Sequence, residues 1–357
     1  MKIILSGGGT LGPVTPLLAI AETIKEAHPD AEFFWIGTKD GPERALVERA
    51  GIAFSYLPGG KFRRYASLRN ITDIWHVAAG FFAAYRYLRS ERPSVCISAG
   101  GFVSVPVHGA AWLLKIPTWI HQQDVEVGLA NRMMGWIATS VTTSLEAHYE
   151  KFKKQKTRWI GNPVREEIFH GDAARVREKF GVDAALPVVF VMGGGTGSLR
   201  VNQLITEALP HLEGICHVIH LSGRERPQEL IRQAANFCPW YHPMQFTDEG
   251  MPDLYAAGDV IVSRGGFGSL SEIAALGKPA IIIPKPGHQE RNVSWLADAG
   301  AVIVLDEKMS HGTLLAKTIK DLLIDTKKRE DLSRELKRLL PPAEKEDILA
   351  VFRMLVQ

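Results

Sequence analysis

The 357-residue sequence is 46% hydrophobic and 23% charged, a globular balance that excludes extensive disorder, and its length suits two α/β domains of ~170 residues each. A formal net charge of +3 excludes a generally basic nucleic-acid protein. Cys96, Cys216 and Cys238 are far apart without CxxC spacing, which excludes a disulfide framework or a zinc site.

From the N-terminus, Met1-Lys2-Ile3-Ile4-Leu5-Ser6 enters a glycine loop after one short apolar run, which reads as a first strand and not a signal peptide. No apolar run reaches the roughly 18 residues of a membrane span, so a cytosolic chain is expected. Further strands are expected at 32–36, 94–97, 117–120, 140–143 and 158–160. After the turn signal Gly161-Asn162-Pro163-Val164 and a charged helix over 173–180, strands follow at 187–192, 216–221, 259–263, 280–283 and 301–305. Runs that are apolar throughout suit parallel strands covered on both faces, and their alternation with amphipathic helices gives doubly wound sheets. The run 187–192 enters Gly193-Gly194-Gly195-Thr196-Gly197, echoing Gly7-Gly8-Gly9-Thr10. The pattern therefore predicts two Rossmann-like domains, 1–163 and 164–340, and a last helix over 341–357 that packs back on the first.

Gly7, Gly9 and Gly12 satisfy the dinucleotide pattern, but the second strand ends Trp35-Ile36-Gly37-Thr38 with no acid for a ribose, and Asp40 comes too late. NAD binding is disfavoured. In the second half, Ser263-Arg264-Gly265-Gly266-Phe267-Gly268-Ser269-Leu270-Ser271-Glu272 follows a strand and opens a helix. Its amides suit a diphosphate and Glu272 suits a ribose, whereas Ser269-x-x-Glu272 also spells a capping box that needs no ligand. Both readings stand at this point. Gln289 and Asn292, at i and i+3 of the next helix, can bond sugar hydroxyls or simply be solvated.

Residues 61–92 carry a local +5, from Lys61, Arg63, Arg64, Arg69, Arg86, Arg89 and Arg92 against Asp73 and Glu91. Ile71, Ile74, Trp75, Ala78, Phe82 and Tyr85 fall at helical spacing within it. Such a helix either lies on an anionic membrane surface or packs its aromatic face on the first sheet. No nucleic-acid groove is indicated.

Taken in order, these segments, with Ala99-Gly100-Gly101-Phe102-Val103-Ser104, Gly128-Leu129-Ala130-Asn131 and Gly161-Asn162-Pro163-Val164-Arg165, resemble the MurG family of N-acetylglucosaminyltransferases. The resemblance implies a GT-B fold of two facing Rossmann-like α/β domains. UDP-GlcNAc would bind the second, a lipid-linked muramoyl-peptide acceptor the first, with no metal or cofactor and a peripheral position on the cytoplasmic face of the cell membrane. It assigns the donor to Thr10, Leu11 and Gly12 of the first loop, to Asp124 and Arg165, and to Gly194, Gly195 and Thr196 of the second loop. Thr247, Phe267, Gly268, Ser269, Leu270, Ser271, Glu272, Gln289 and Asn292 complete the donor set. Gly9, Gly101, Ser104 and Asn131 are assigned to the acceptor.

Three motifs depart from the family. Gly-Gly-His is here Leu11-Gly12-Pro13, His-Glu-Gln-Asn is His121-Gln122-Gln123-Asp124, and Ser-Gln of the second loop is Gly195-Thr196. With the histidine absent, Asp124 is the expected general base, facing the cleft between the domains; the alternative is that it only orients the acceptor or caps a turn. A transferase with a glycolipid or small-molecule acceptor, a silent nucleotide-sugar-binding protein and a UDP-sugar epimerase are the competing functional readings.

Overall fold

The computed structural model describes residues 1–57, 69–224, 226–247 and 250–357, with the helical backbone alone described for 69–77. The chain divides into two compact units, Met1–Arg165 with Pro342–Gln357, and Glu166–Pro341.

The first unit alternates β1 (Lys2–Ser6), α1 (Val14–Ala27), β2 (Glu32–Gly37), α2 (Glu43–Arg49), β3 (Ala53–Tyr56) and α3 (Arg69–Glu91). It continues with β4 (Val95–Ser98), α4 (Ser104–Leu113), β5 (Thr118–Gln122), α5 (Leu129–Ile137), β6 (Ser140–Thr143) and β7 (Thr157–Trp159). Every strand pairing is parallel, in the order β3-β2-β1-β4-β5-β6-β7. Side chains alternate across such a sheet. Ile3, Leu5, Trp35 and Ile97 therefore point into one core with α1, while Ile4, Ile36 and Cys96 point into another with α3 and α4.

The second unit runs α6 (Ala173–Phe180), β8 (Val188–Met192), α7 (Leu199–Ala208), β9 (His217–Leu221), α8 (Glu229–Phe237), β10 (Tyr241–Met244), α9 (Met251–Ala257) and β11 (Val260–Ser263). Then come α10 (Phe267–Ala275), β12 (Ala280–Ile282), α11 (His288–Asp298), β13 (Ile303–Val304), α12 (Gly312–Ile324) and α13 (Thr326–Leu339). Its sheet is also parallel, in the order β10-β9-β8-β11-β12-β13.

After α13 the chain returns to the first unit. The amide of Ala343 donates to the Asn162 carbonyl at 2.9 Å, and α14 (Lys345–Val356) follows. Ile348, Val351, Phe352 and Leu355 are buried in the α1 side of the first core. At ~1.5–3 kcal/mol for each fully buried side chain, α14 is an integral layer of that unit.

Two strands escape the sequence pattern, and both are edge strands. β3 reads Ala-Phe-Ser-Tyr with both ends exposed, and β10 contains Pro243. An edge strand needs neither a continuous apolar run nor every amide, so the signal that marks the central strands is missing.

Candidate active site

In parallel open sheets the ligand crevice forms where the strand order reverses, beyond the carboxyl ends of the strands. In the second unit that point lies between β8 and β11, and a glycine loop follows each.

The loop after β11 opens α10 with Gly266 as N-cap and no side chain capping it. The helix thus begins at Phe267, and Ser269 and Glu272 lie inside it. The capping-box reading fails for this reason. An uncapped N-terminus leaves the first-turn amides as donors for an anion. Leu270 is buried and its amide donates to the Gly266 carbonyl, so it serves the helix. The Ser271 hydroxyl donates to the Phe267 carbonyl at 2.9 Å and is likewise buried. Glu272 is nearly buried, and its Oε2 accepts a 2.9 Å hydrogen bond from the hydroxyl of the wholly buried Tyr255.

α11 packs directly against this loop. A Cβ at Gly265 would lie 2.9 Å from Val293 Cγ1 and 3.0 Å from the Gln289 carbonyl, so only glycine allows the approach. Gln289 Oε1 accepts the Lys285 amide at 2.9 Å. Asn292, buried, directs its Nδ2 at the Gly265 carbonyl, 3.4 Å away. Asn292 is thus tied to the glycine loop of the crevice and is not a solvated residue, whereas Gln289 is half-buried and its bond to Lys285 is exposed.

The loop after β8 turns at Gly194 and Gly197, both with positive φ, and leaves Gly195 and Thr196 exposed. Gly197 abuts the end of β9, where a Cβ would lie 2.6 Å from the Ser222 carbonyl. A buried relay fixes that carbonyl. Asn202 Nδ2 donates to it at 3.0 Å, and Asn202 Oδ1 lies 3.1 Å from His220 Nε2. Because an amide oxygen only accepts, Nε2 carries the proton, and Nδ1 accepts from the Tyr241 hydroxyl at 2.7 Å. Burial holds the His220 pKa down to about 3, which keeps it neutral as the relay requires. At the ends of β9 and β10, the Arg224 guanidinium lies over the Phe246 ring at 4.2 Å, and Thr247 follows, half-buried.

In the first unit the strand order reverses between β1 and β4. Gly101 packs on the first loop, since a Cβ there would lie 2.9 Å from the Gly8 carbonyl. Ser104 is buried and donates to the Gly100 carbonyl at 3.0 Å. Gly9 and Thr10 are exposed, Leu11 and Gly12 half-buried. Gly12 faces Gln123 Nε2, 3.3 Å from where its Cβ would be. Asn131 Nδ2 donates to Gln122 Oε1 at 2.7 Å and to the His121 carbonyl at 3.1 Å, while its buried Oδ1 has no partner among the described residues. Asp124 follows β5, half-buried, and Arg165 ends the unit, also half-buried.

His121 is not a free base. Its Nε2 lies 2.9 Å from Asn162 Oδ1 and its Nδ1 2.9 Å from the Thr142 hydroxyl, which in turn accepts from Trp119 Nε1 at 2.8 Å. Burial pushes its pKa down to about 4. Pro13 is the N-cap of α1 with φ −69° and brings neither a proton nor an amide.

The glycosyltransferase family 28 N-terminal domain matches residues 3–143, and the family's C-terminal domain matches residues 188–345. The UDP-N-acetylglucosamine–N-acetylmuramyl-(pentapeptide) pyrophosphoryl-undecaprenol N-acetylglucosamine transferase of Lachnospira eligens is 36% identical over 88% of this chain and 89% of its own. The protein of the same name from Bacillus cytotoxicus is 31% identical over 100% of both chains. The chain belongs to glycosyltransferase family 28, in its MurG branch. Among solved structures, MurG of Acinetobacter baumannii superposes with a TM-score of 0.74 at 21% identity, covering 99% of each chain. A UDP-GlcNAc 2-epimerase of Neisseria meningitidis reaches 0.70 at 14% identity over 99% of this chain and 100% of its own. The GT-B fold is thus common to transferases and epimerases. Membership of family 28, carried by sequence, makes this chain a glycosyltransferase and removes the epimerase reading.

Sequence reasoning missed two buried contacts, one in each unit. Tyr255 gives no signal, being one aromatic in a short apolar helix. Glu43 lies six residues beyond the end of β2, too far along to be taken for the ribose acid, and its role emerges only from its contacts.

Proposed function

We propose that this family 28 enzyme transfers N-acetylglucosamine from UDP-GlcNAc to a lipid diphosphate-linked muramoyl-pentapeptide, a step of peptidoglycan synthesis. The observation that carries the reading is the full-length match to a transferase whose name states that donor and acceptor. In an inverting single displacement the acceptor hydroxyl oxygen attacks the anomeric carbon. The bond to the diphosphate oxygen breaks, UDP leaves with the electron pair, and the hydroxyl proton passes to a base.

The uncapped start of α10 supports the leaving-group role of residues 266–269, because helix N-terminal amides stabilise developing negative charge without a metal. Glu272, held by Tyr255, is the proposed ribose ligand, with Gln289 and Asn292 toward the sugar, and Arg165, Thr196 and Thr247 completing the donor site. Asp124 is the proposed base, and Gly9, Gly101, Ser104 and Asn131 line the proposed acceptor side.

The same reading includes peripheral attachment to an anionic membrane on the cytoplasmic face. No helix among the described residues is long and apolar enough to cross a membrane. Residues 58–68, with Lys61, Arg63 and Arg64, and the side chains of Arg69, Ile71, Ile74 and Trp75 lie outside the described residues. Within the described part, Ala84 and Leu88 of α3 face the core, whereas Phe82 is 65% exposed. α4 and α5 cover the same sheet face and leave Trp112 59% and Trp136 72% exposed, with Lys153 over the Trp136 ring at 5.9 Å. Exposed aromatics beside cations suit the headgroup layer.

Product analysis with UDP-GlcNAc and a short-chain lipid diphosphate muramoyl-peptide tests the proposal. The expected product carries one added N-acetylhexosamine of inverted anomeric configuration. Turnover of another acceptor and none of this one would refute it.

A further inference from the structure

A carboxylate that the transfer chemistry does not use lies beneath the first glycine loop. Glu43, in the first turn of α2, is fully buried. Its Oε1 accepts the Thr38 amide at 2.7 Å and the Thr38 hydroxyl at 2.5 Å, and its Oε2 accepts the Gly9 amide at 3.2 Å. Three glycines make room for it. A Cβ would lie 2.2 Å from Oε1 at Gly8, 2.0 Å from Oε2 at Gly41 and 3.1 Å from Oε1 at Gly37. Among the described residues, Gly9 is the one position from 8 to 12 whose amide has a hydrogen-bond partner.

In dinucleotide-binding domains such a loop gives its amides to a ligand's phosphates, and an acid near the end of the second strand turns outward to a ribose. Here Thr38 stands at that strand end, tied inward, and the loop amide is held by an acid of the chain itself. Consecutive glycines lose the most conformational freedom on being fixed, so the Gly8-Gly9-Thr10 turn, exposed at Gly9 and Thr10, needs an internal anchor to have one conformation.

We propose that Glu43 is a positioning residue for glycosyl transfer: its buried carboxylate stands where a bound phosphate would and sets residues 8–12 in their working conformation before substrate arrives. The proposal rests on the transferase reading above for its kinetic test, and not for its structural one.

The structural arm is amide hydrogen exchange on the unliganded full chain. Glu43→Gln keeps the size but turns an N–H donor toward Gly9 or Thr38, and exchange in the peptide spanning residues 7–12 is expected to rise at least tenfold. The kinetic arm uses UDP-GlcNAc and the short-chain acceptor. There kcat/KM is expected to fall at least tenfold while UDP affinity, measured by calorimetry, stays within twofold. Should Glu43→Gln fail to fold, Thr38→Val removes one hydroxyl only and is expected to give a smaller change in the same two readouts. Gly8→Ala, whose methyl collides with Oε1, is expected to lose activity in the parent chain and far less in a Glu43→Ala background.

Unchanged exchange in Glu43→Gln, or an equal cost of Gly8→Ala in both backgrounds, overturns the proposal. A parent chain that does not transfer refutes the acceptor reading instead, and the exchange result still decides the role of Glu43.

Discussion

Removing the Tyr255 hydroxyl separates a ligand-holding role for Glu272 from a structural one. Tyr255→Phe deletes one oxygen from a wholly buried ring and leaves the ring packed against Phe190, 5.5 Å between centroids in an edge-on arrangement. What is lost is the 2.9 Å hydrogen bond to Glu272 Oε2 and a weaker 3.4 Å contact to Met192 Sδ, and bonds to charged groups contribute about 1.5–3 kcal/mol. Glu272 is 8% exposed, so water replaces the lost donor poorly. If the carboxylate grips the ribose, part of that loss appears in binding. UDP affinity is then expected to weaken by roughly 3- to 10-fold, about half to one full factor of the 1.4 kcal/mol that equals tenfold. Glu272→Gln should weaken UDP more, by ~1–3 kcal/mol, and adding Tyr255→Phe to it should cost little further, because the two residues act through one contact. Calorimetric titration with UDP measures all three variants. Unchanged UDP affinity in both single variants, with only a lowered melting temperature, refutes the reasoning and makes the Tyr255–Glu272 bond a packing device.

Asp124→Asn is expected to lower kcat by ~10²–10⁴ with UDP-GlcNAc affinity nearly unchanged, and near-normal kcat removes Asp124 as the base. Vesicle sedimentation is expected to show binding that grows with anionic lipid and falls with salt, and to weaken in Trp136→Ala; equal binding to neutral vesicles counts against the attachment face. Burial holds His108 and His220 down to about 3 and His121 to about 4, against 6.5 when exposed. The unfolded chain therefore binds the extra protons, so this stability is present above pH 6.5 and is lost as pH falls toward the folded values, at about 1.4 kcal/mol per unit for each group. Melting temperatures are expected to drop steadily from pH 6.5 to 5, and a flat profile there contradicts the burial. Phe352→Ala is expected to cost ~3–5 kcal/mol in the unfolding of the first unit, followed by denaturant titration, and no loss there means α14 is dispensable to that core.

What the sequence made legible is what short-range chemistry writes. Apolar runs named the central strands because both faces of a parallel sheet are covered, and glycine clusters named three loops because only glycine permits the close approaches at Gly101, Gly197 and Gly265. Ser269 and Glu272 left two readings open because the Ser-x-x-Glu pattern is ambiguous until the helix start is known, and that start is set by Gly266. The partners were not legible at all. Glu43 reaches Gly9 across 34 residues, Tyr255 reaches Glu272 across 17, and His121 reaches Asn162 across 41. No local pattern encodes such pairs, because they are consequences of strand order.

Those long-range pairs also narrow the search for the base. A deprotonating group must stand at the carboxyl edge of the first sheet with a side chain open to a ligand. Pro13, where the family carries histidine, has no titratable atom. His121 is buried with both ring nitrogens engaged, and His148, also buried, has its Nε2 on the Val125 carbonyl at 2.8 Å. Glu43 is enclosed by the loop it holds. Asp124 stands at that edge half-buried, on the loop whose Val125 carbonyl His148 secures and whose Asp124 and Glu126 carbonyls accept from Gln122 Nε2 at 2.7 and 3.2 Å. The neighbouring groups hold its backbone in place at that edge, which supports the proposal that Asp124 takes the proton in a chain without the histidine.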